Sequence, residues 1–178
     1  MNKLLRFFDY EKAFDAYTSS IDHMKQGTTK GSHAKIIAKP ALILSIIRLI
    51  EEGKTTNRFD YDELDKVYQQ IFGTYFLKAS QENLTPLCYP FYFLQTDGFW
   101  HLSFFAHSST TTSSPSPAWA RRNFQYGYID EELWILLSYK PYRDRLKQYL
   151  VEEKIEKTLR TAPSHPSCLQ MLRLLLVI

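Results

Sequence analysis

The hydrophobic pattern of the chain is most continuous in KPALILSIIRLIEEG (residues 39–53), where apolar side chains cover nearly the whole circumference of a helix. Pro40 suits a first helical turn, and Gly53 is typical of the position that follows a helix. A helix that is apolar on most sides must be buried, so this segment is predicted to form the centre of the core. Lys39 stands just ahead of it, near the positive end of the helix dipole, and indicates an anion site.

Amphipathic patterns on both sides of this segment predict further helices. Residues 9–24 place their large apolar side chains on one helical face. Asp60, followed three residues later by Glu63, resembles a capping box at the start of a second amphipathic helix. Asp130 is predicted to cap the segment DEELWILLSY, and Pro141 to open the third long helix, PYRDRLKQYLVEEKIEKTL.

Aromatic residues are concentrated in CYPFYFLQTDGFW (residues 88–100). The Asp97–Gly98 pair is typical of a hairpin turn, so PFYFLQ and FWHLSF are predicted to form an antiparallel β-hairpin. The low-complexity run SSTTTSSPSP (residues 108–117) has no apolar pattern and is predicted to be a mobile loop at the far end of that hairpin.

The order of these elements predicts a mainly helical α+β domain with a small antiparallel hairpin or sheet. The 178 residues, 44% of them hydrophobic, are consistent with one domain over residues 1–160 and a C-terminal tail, 161–178, of open placement. The chain has no apolar run of about 18 residues and no signal-peptide pattern. Cys88 and Cys168 have no metal or disulfide spacing, so we expect a cytoplasmic protein with reduced thiols and no membrane contact.

The basic residues are unevenly distributed in a chain whose net charge is only +3. No acidic residue lies between Asp22 and Glu51, or between Gly98 and Ile129. Two positive spans in a nearly neutral chain suggest one face that meets phosphate groups. The simpler alternative is that these lysines are ordinary solvated side chains.

Motifs for catalysis are missing from the sequence. The five histidines do not occur in metal-ligand spacings, and there is no CxxC pair and no GxSxG. The acidic residues near Asp60 are better explained by helix capping than by a metal site. His101 and His107 are candidate general bases, although a structural or surface role is the simpler interpretation. We therefore expect no cofactor and no metal, and no residue pattern supports an enzymatic activity.

Four sequence blocks together resemble the sulfur-binding domain family. They are AKPALILSIIRLIEEG, NRFDYDEL, YPFYFLQTDGFWHL and SPAWARRNFQYGYIDEELWILL. The resemblance covers roughly residues 10–155. Domains of this family stand at the N-terminus of modification-dependent restriction endonucleases, usually ahead of an HNH nuclease domain, and recognise double-stranded DNA with a phosphorothioate in its backbone.

The resemblance implies a site in which sulfur rests in an apolar cup surrounded by cations. Tyr89 and Pro90 would form the cup, with Phe93 at its edge. The positions that the resemblance and the charge pattern assign to DNA contacts are Lys30, His33, Lys35, Lys39, Arg121 and Arg122. Arg121 and Arg122 are consecutive, so in a helix they cannot both face the DNA.

The sequence departs from the family pattern at two positions. Ala38 stands where sulfur binders can have a histidine, and Phe93 stands where they can have a small residue. No HNH motif follows, so we expect a recognition domain that acts alone or with a separate nuclease or effector; a homodimer is left open. The alternative functions are a protein–protein assembly module of a defence system without sulfur specificity, and an unrecognised nuclease.

Overall fold

The computed structural model describes residues 8–28, 35–76 and 85–158. The helices are α1 (Tyr10–Asp22), α2 (Ala38–Glu51), α3 (Tyr61–Phe76), α4 (Cys88–Phe93), α5 (Pro117–Asn123), α6 (Glu131–Ser138) and α7 (Lys140–Tyr149). A 3₁₀ turn (Leu94–Asp97) extends α4, a π-helical segment (Leu150–Glu156) extends α7, and the strands are β1 (Trp100–Phe104) and β2 (Phe124–Ile129). The predicted α+β class, dominated by helix, is confirmed. In the described part of the chain no helix is long and apolar enough to cross a membrane.

Helix α2 forms the centre of the core, as its sequence predicts. Eleven of its fourteen residues are buried, and α3, α4, α6, α7 and the π-helical segment pack around it. The helix begins at Ala38, one residue before Lys39, which places Lys39 inside the first turn. Gly53, with φ of 100°, follows the helix in the left-handed conformation that glycine adopts without steric cost.

The predicted capping box before α3 forms only in part. The Asp60 carboxylate accepts hydrogen bonds from the backbone N–H groups of Asp62 (2.9 Å) and Glu63 (3.1 Å), as an N-cap should. The Glu63 side chain does not return to Asp60. It accepts a hydrogen bond from the Lys54 ammonium group instead (2.5 Å).

The boundaries predicted at Asp130 and Pro141 are confirmed, but the role given to the Asp130 side chain is wrong. Asp130 precedes α6 without a side-chain capping bond. Its carboxylate accepts a hydrogen bond from the Tyr17 hydroxyl (3.1 Å) and lies 2.6 Å from Nε2 of His101. Asp130 therefore joins α1 to β1. Pro141 lies in the first turn of α7, where its missing N–H costs no helical hydrogen bond.

The hairpin predicted for PFYFLQ and FWHLSF (residues 90–95 and 99–104) is wrong in its first half, because residues 88–93 form α4 and Leu94–Asp97 form the 3₁₀ turn. Leu87 is the N-cap of α4, so Pro90 stands in the first turn, where backbone N–H groups have no helical partner. In a paired strand the same proline would remove a ladder hydrogen bond. The fully buried residues Cys88, Phe91 and Leu94 recur every three residues, which is a helical spacing.

Strand β1 pairs with β2, which begins 24 residues after β1 begins, rather than with residues 90–95. The strands are antiparallel, with Trp100 opposite Ile129 and a bulge between Ser103 and Phe104. Gly98, with φ of 91°, ends the 3₁₀ turn and leads into β1, so the Asp-Gly pair joins a helix to a strand.

The segment between β1 and α5, predicted to be mobile, is anchored to α4. The Tyr92 hydroxyl accepts a hydrogen bond from the backbone N–H of Thr112 (3.2 Å), and the Cys88 thiol donates to the carbonyl oxygen of Pro115 (3.4 Å). Pro115 is itself buried. The prediction that this segment does not pack is therefore wrong. The predicted tail, 161–178, lies outside the described residues.

Gly127 allows β2 to pass directly over Trp100, and this contact provides a test of the fold. A Cβ atom at Gly127 would lie 2.1 Å from Cζ2 of Trp100, which is fully buried and donates its indole N–H to the Phe91 carbonyl oxygen (2.7 Å). We expect Gly127→Ala to lower the free energy of unfolding by about 1–3 kcal/mol, the usual cost of overpacking. Urea denaturation followed by tryptophan fluorescence measures it.

Gly73→Ala in α3 is the matched control. A Cβ atom added there meets nothing within 4 Å. Since alanine is the better helix former, this variant should be more stable than the wild type by about 0.5–1 kcal/mol. A Gly127→Ala protein as stable as the wild type would contradict the packing of β2 on Trp100.

Candidate functional site: a groove between α2 and α4

The groove that contains most of the predicted sulfur site lies between the start of α2 and α4. Its volume is about 380 Å³, and most of its lining is apolar. The lining residues are Lys25, Gln26, Gly27, Ile36, Ala38, Lys39, Thr85, Tyr89, Pro90, Phe93 and Thr96. Tyr89, Pro90, Phe93 and Lys39, which the sequence assigns to a site, thus share one concave surface.

Helix α4 brings its three groove residues together. Tyr89 and Phe93 are one helical turn apart, with ring centroids 6.5 Å from each other and ring planes only 24° from parallel. Pro90 lies beside them, three residues before Phe93, and the opposite face of the helix is buried through Cys88 and Phe91. In the predicted extended strand Tyr89 and Phe93 would be about 13 Å apart. The helix therefore makes one continuous surface of two rings and a proline.

Such a surface favours some ligand atoms over others. The faces of Tyr89, Pro90 and Phe93 present few groups that can solvate an ion, and Tyr89, 38% exposed, contributes a single hydroxyl. Placing a charged oxygen against apolar groups costs free energy unless it gains hydrogen bonds. A larger, more polarisable atom that accepts hydrogen bonds weakly loses less solvation free energy when it contacts this surface.

Lys39 lies at the edge of this surface and is paired with Asp97. Its ammonium nitrogen lies 2.5 Å from Asp97 Oδ2, and the two side chains are only 12% and 5% exposed. The other carboxylate oxygen of Asp97 accepts the backbone N–H of Lys25 (3.2 Å). Asp97 thus joins the end of the 3₁₀ turn to α2 and to the segment after α1. Lys39 and Asp97 are 58 residues apart, so no local sequence signal indicated this pair.

The opposite wall of the groove is built from two segments, 25–28 and 35–37. The N–H of Ile36 donates to the Gly27 carbonyl oxygen (2.8 Å), and the Gln26 side-chain amide donates to the Ile36 carbonyl oxygen (3.1 Å). Thr28 and Lys35 form an antiparallel bridge. Lys35 is exposed next to Ile36. The predicted DNA contacts Lys30 and His33 lie outside the described residues.

Arg121 and Arg122 are not part of the groove lining. Both lie in α5, where Arg121 Nε donates to Asp62 Oδ1 (2.7 Å) and its guanidinium carbon lies 5.5 Å from the centre of the Tyr61 ring. The Asp62 carboxylate, through this hydrogen bond, raises the pKa of Arg121 and balances part of the positive charge of the guanidinium group. Arg122 Nε donates to the Ala118 carbonyl oxygen (3.3 Å). The structure brings Lys39 to the cup residues but leaves this arginine pair on a separate element.

Both departures from the family pattern fall on the groove. Ala38, which is 5% exposed, lies in its floor, and Phe93 forms part of its wall. The large ring at position 93 stacks on Tyr89 and widens the apolar surface. The groove residues that the sequence left unassigned include Lys25, Thr85 and Thr96.

The candidate general bases do not form an active site with the groove. His101 is held by Asp130, and its ring centroid lies 5.1 Å from that of Tyr128 on the sheet. Burial, with the nearby Asp130 carboxylate, raises the pKa of Tyr17, whose hydroxyl donates to that carboxylate. His107 is exposed in the segment after β1. Among the residues that the structure describes, no three His, Cys, Asp or Glu side chains are grouped to hold a metal ion.

Because residues 88–93 are helical, Phe91 and Phe93 should contribute differently to the stability of the fold. An extended strand would place both side chains on one face. Phe91 is fully buried, with its ring centroid 5.2 Å from that of Trp100, whereas Phe93 is partly exposed at the groove. We expect Phe91→Ala to lower the free energy of unfolding by about 3–5 kcal/mol and Phe93→Ala by about 1 kcal/mol. Thermal and urea unfolding of both variants measure this, and equal losses would contradict the assignment of α4.

Comparison with known proteins bears on the fold. No family model and no curated protein matches the chain. A solved structure, "Sulfur binding domain of SprMcrA complexed with phosphorothioated DNA", is similar with a TM-score of 0.57 and 15% sequence identity. The similarity covers 78% of this chain and 83% of that one. At this identity the likeness is one of fold. The chain therefore has the fold of a sulfur-binding domain, as its sequence resemblance predicts.

Proposed function

We propose that this chain is a DNA-binding module that recognises phosphorothioate-modified double-stranded DNA. Sulfur would rest on the apolar surface of Tyr89, Pro90 and Phe93, and basic side chains around the groove would hold the DNA backbone. The observation that carries the proposal is the groove itself, which combines that surface with Lys39 in a fold similar to a domain complexed with phosphorothioated DNA.

The chemistry of sulfur supports this assignment. Sulfur is larger and more polarisable than oxygen and accepts hydrogen bonds weakly, so it loses less solvation when it contacts a ring face or a proline. The stacked rings of Tyr89 and Phe93, with Pro90 beside them, offer such contacts. The preference for sulfur over oxygen would come from this contact between the sulfur atom and the apolar surface alone.

Affinity would come from several phosphate contacts. Lys25 and Lys39 line the groove, Lys35 is exposed beside it, and Lys30 and His33 are proposed as further DNA contacts on the basis of sequence. Arg121 and Arg122 remain candidates for contacts further along the duplex. Each neutralised phosphate releases counterions, so binding should weaken steeply as salt is raised.

We also propose that the module belongs to a modification-dependent restriction or defence system. A separate nuclease or effector would then act on the DNA that this module binds. No residue of the chain is assigned a catalytic role, and no cofactor is required for the recognition described.

Binding to two duplexes of one sequence, with and without phosphorothioate linkages of mixed stereochemistry, tests the proposal. We expect the wild type to prefer the sulfur-containing duplex by at least about tenfold in fluorescence anisotropy, a difference of about 1.4 kcal/mol. Pro90→Glu should abolish that preference, because it sets a carboxylate against the anionic linkage. Glutamate suits the first turn of a helix. Because Pro90 is buried, circular dichroism and urea unfolding must show that the Pro90→Glu protein keeps α4 before its binding is interpreted.

Tyr139→Glu is the matched control. Tyr139 is 48% exposed and lies outside the groove, and the variant adds the same charge. It should weaken binding to both duplexes slightly and keep the preference for sulfur. Equal binding of the two duplexes by the wild type would sink the sulfur assignment. Absence of binding at low salt would instead favour a protein–protein assembly module, and Mg²⁺- or Mn²⁺-dependent cleavage would favour a nuclease.

A further inference from the structure

We infer that Asp97 determines specificity in this groove: by pairing with Lys39, it lowers the affinity for an unmodified phosphate and so favours sulfur. The inference rests on the proposed function, and it assigns a role to a residue that does not itself line the groove.

Asp97 is built into the wall behind the cup. Its side chain is 5% exposed, and its two carboxylate oxygens accept the Lys39 ammonium group and the backbone N–H of Lys25. The residue ends the 3₁₀ turn that follows α4, so it is fixed to the same element that carries Tyr89 and Phe93. Gly98, in the left-handed conformation, then turns the chain away.

This arrangement brings a negative charge close to Lys39, one of the lysines that line the groove. Lys39 is groove-lining and only 12% exposed, so the pair lies where solvent screens charges less than at the open surface. Together the two residues have no net charge. The cup is thereby bordered by a hydrogen-bond donor whose positive charge is largely balanced.

A lysine that is paired with a carboxylate discriminates between oxygen and sulfur differently from an unpaired lysine. The ammonium ion is a compact, strongly hydrated point charge, so it interacts best with a small, hard anionic oxygen. A free lysine at the cup would therefore offset much of the cost of placing a phosphate oxygen against Tyr89 and Pro90. Because Asp97 already pairs with Lys39, the lysine offsets less of the cost of placing an oxygen in the cup. The apolar contact then decides whether oxygen or sulfur binds.

Asp97→Asn tests the inference, since asparagine keeps an oxygen that can accept the Lys25 N–H but leaves Lys39 without its anion. We expect affinity for the unmodified duplex to rise about tenfold, with a smaller rise for the phosphorothioate duplex, so that the preference shrinks. The slope of log K against log salt for the unmodified duplex should steepen, by at most about 0.9, the value for one full phosphate contact, because Lys39 then meets the phosphate without sharing its charge with Asp97.

Glu63→Gln provides a control with the same change of charge. Glu63 pairs with Lys54 at the same distance, 2.5 Å, and neither residue lines the groove. This variant should raise the affinity for both duplexes by the same small factor and leave the preference unchanged. Asp97→Glu, which restores the carboxylate, should recover most of the wild-type preference.

The double variant Asp97→Asn/Lys39→Gln covers the case in which Asp97→Asn alone does not fold, because it leaves no charge without a partner. Its neutral pair should keep the preference for sulfur, and loss of the preference would overturn the inference. An unchanged preference in a folded Asp97→Asn protein would also overturn it, while leaving the proposed function intact. A wild type without preference would refute both.

Discussion

The burial of α2 is the constraint around which the fold is arranged. A helix with eleven buried residues out of fourteen cannot face solvent, so five other elements pack around it. Helix α4 is one of these five elements. The first turn of α2, with Ala38 and Lys39, lines the groove with the exposed face of α4, and the pairing of Lys39 with Asp97 links the two elements. The groove is therefore a consequence of how the core helix is covered.

Two prolines occupy equivalent positions in α2 and α4. Pro40 in α2 and Pro90 in α4 are each the third residue after the N-cap. In that turn a proline loses no helical hydrogen bond, and its ring is held rigidly. At α4 this lets Pro90 present its ring in the groove beside Tyr89 without weakening the helix.

Much of the fold could be predicted from the sequence, because its strongest signals are local. The apolar circumference of α2, the cap at Asp60 and the proline at position 141 each act within one turn of chain. The first strand of the predicted hairpin, residues 90–95, was wrong because aromatic residues favour strands, whereas the spacing of Cys88, Phe91 and Leu94 is helical. Pairing of β1 with β2 is long-range and has no comparable local signal.

The candidate site was predicted in part for the same reason. Tyr89, Pro90, Phe93 and Lys39, which line one groove, could be proposed because the resemblance lies in short contiguous blocks; their binding role stays a prediction. Asp97 was interpreted only as a turn residue, because its partner is 58 residues away. Counting basic residues also overstated the free positive charge. Lys39 and Arg121 each have a carboxylate partner, so the field at the surface depends on pairing that composition does not reveal.

The proposed groove fixes the position of one atom, the phosphorothioate sulfur, and a crystal structure of the chain with a phosphorothioate duplex would test that position most directly. The anomalous signal of sulfur would locate that atom independently of the protein model. We expect it in van der Waals contact, at about 3.5–4.0 Å, with carbon atoms of Tyr89, Pro90 or Phe93. Sulfur located away from this groove, or a duplex bound with its sulfur facing solvent, would contradict the account.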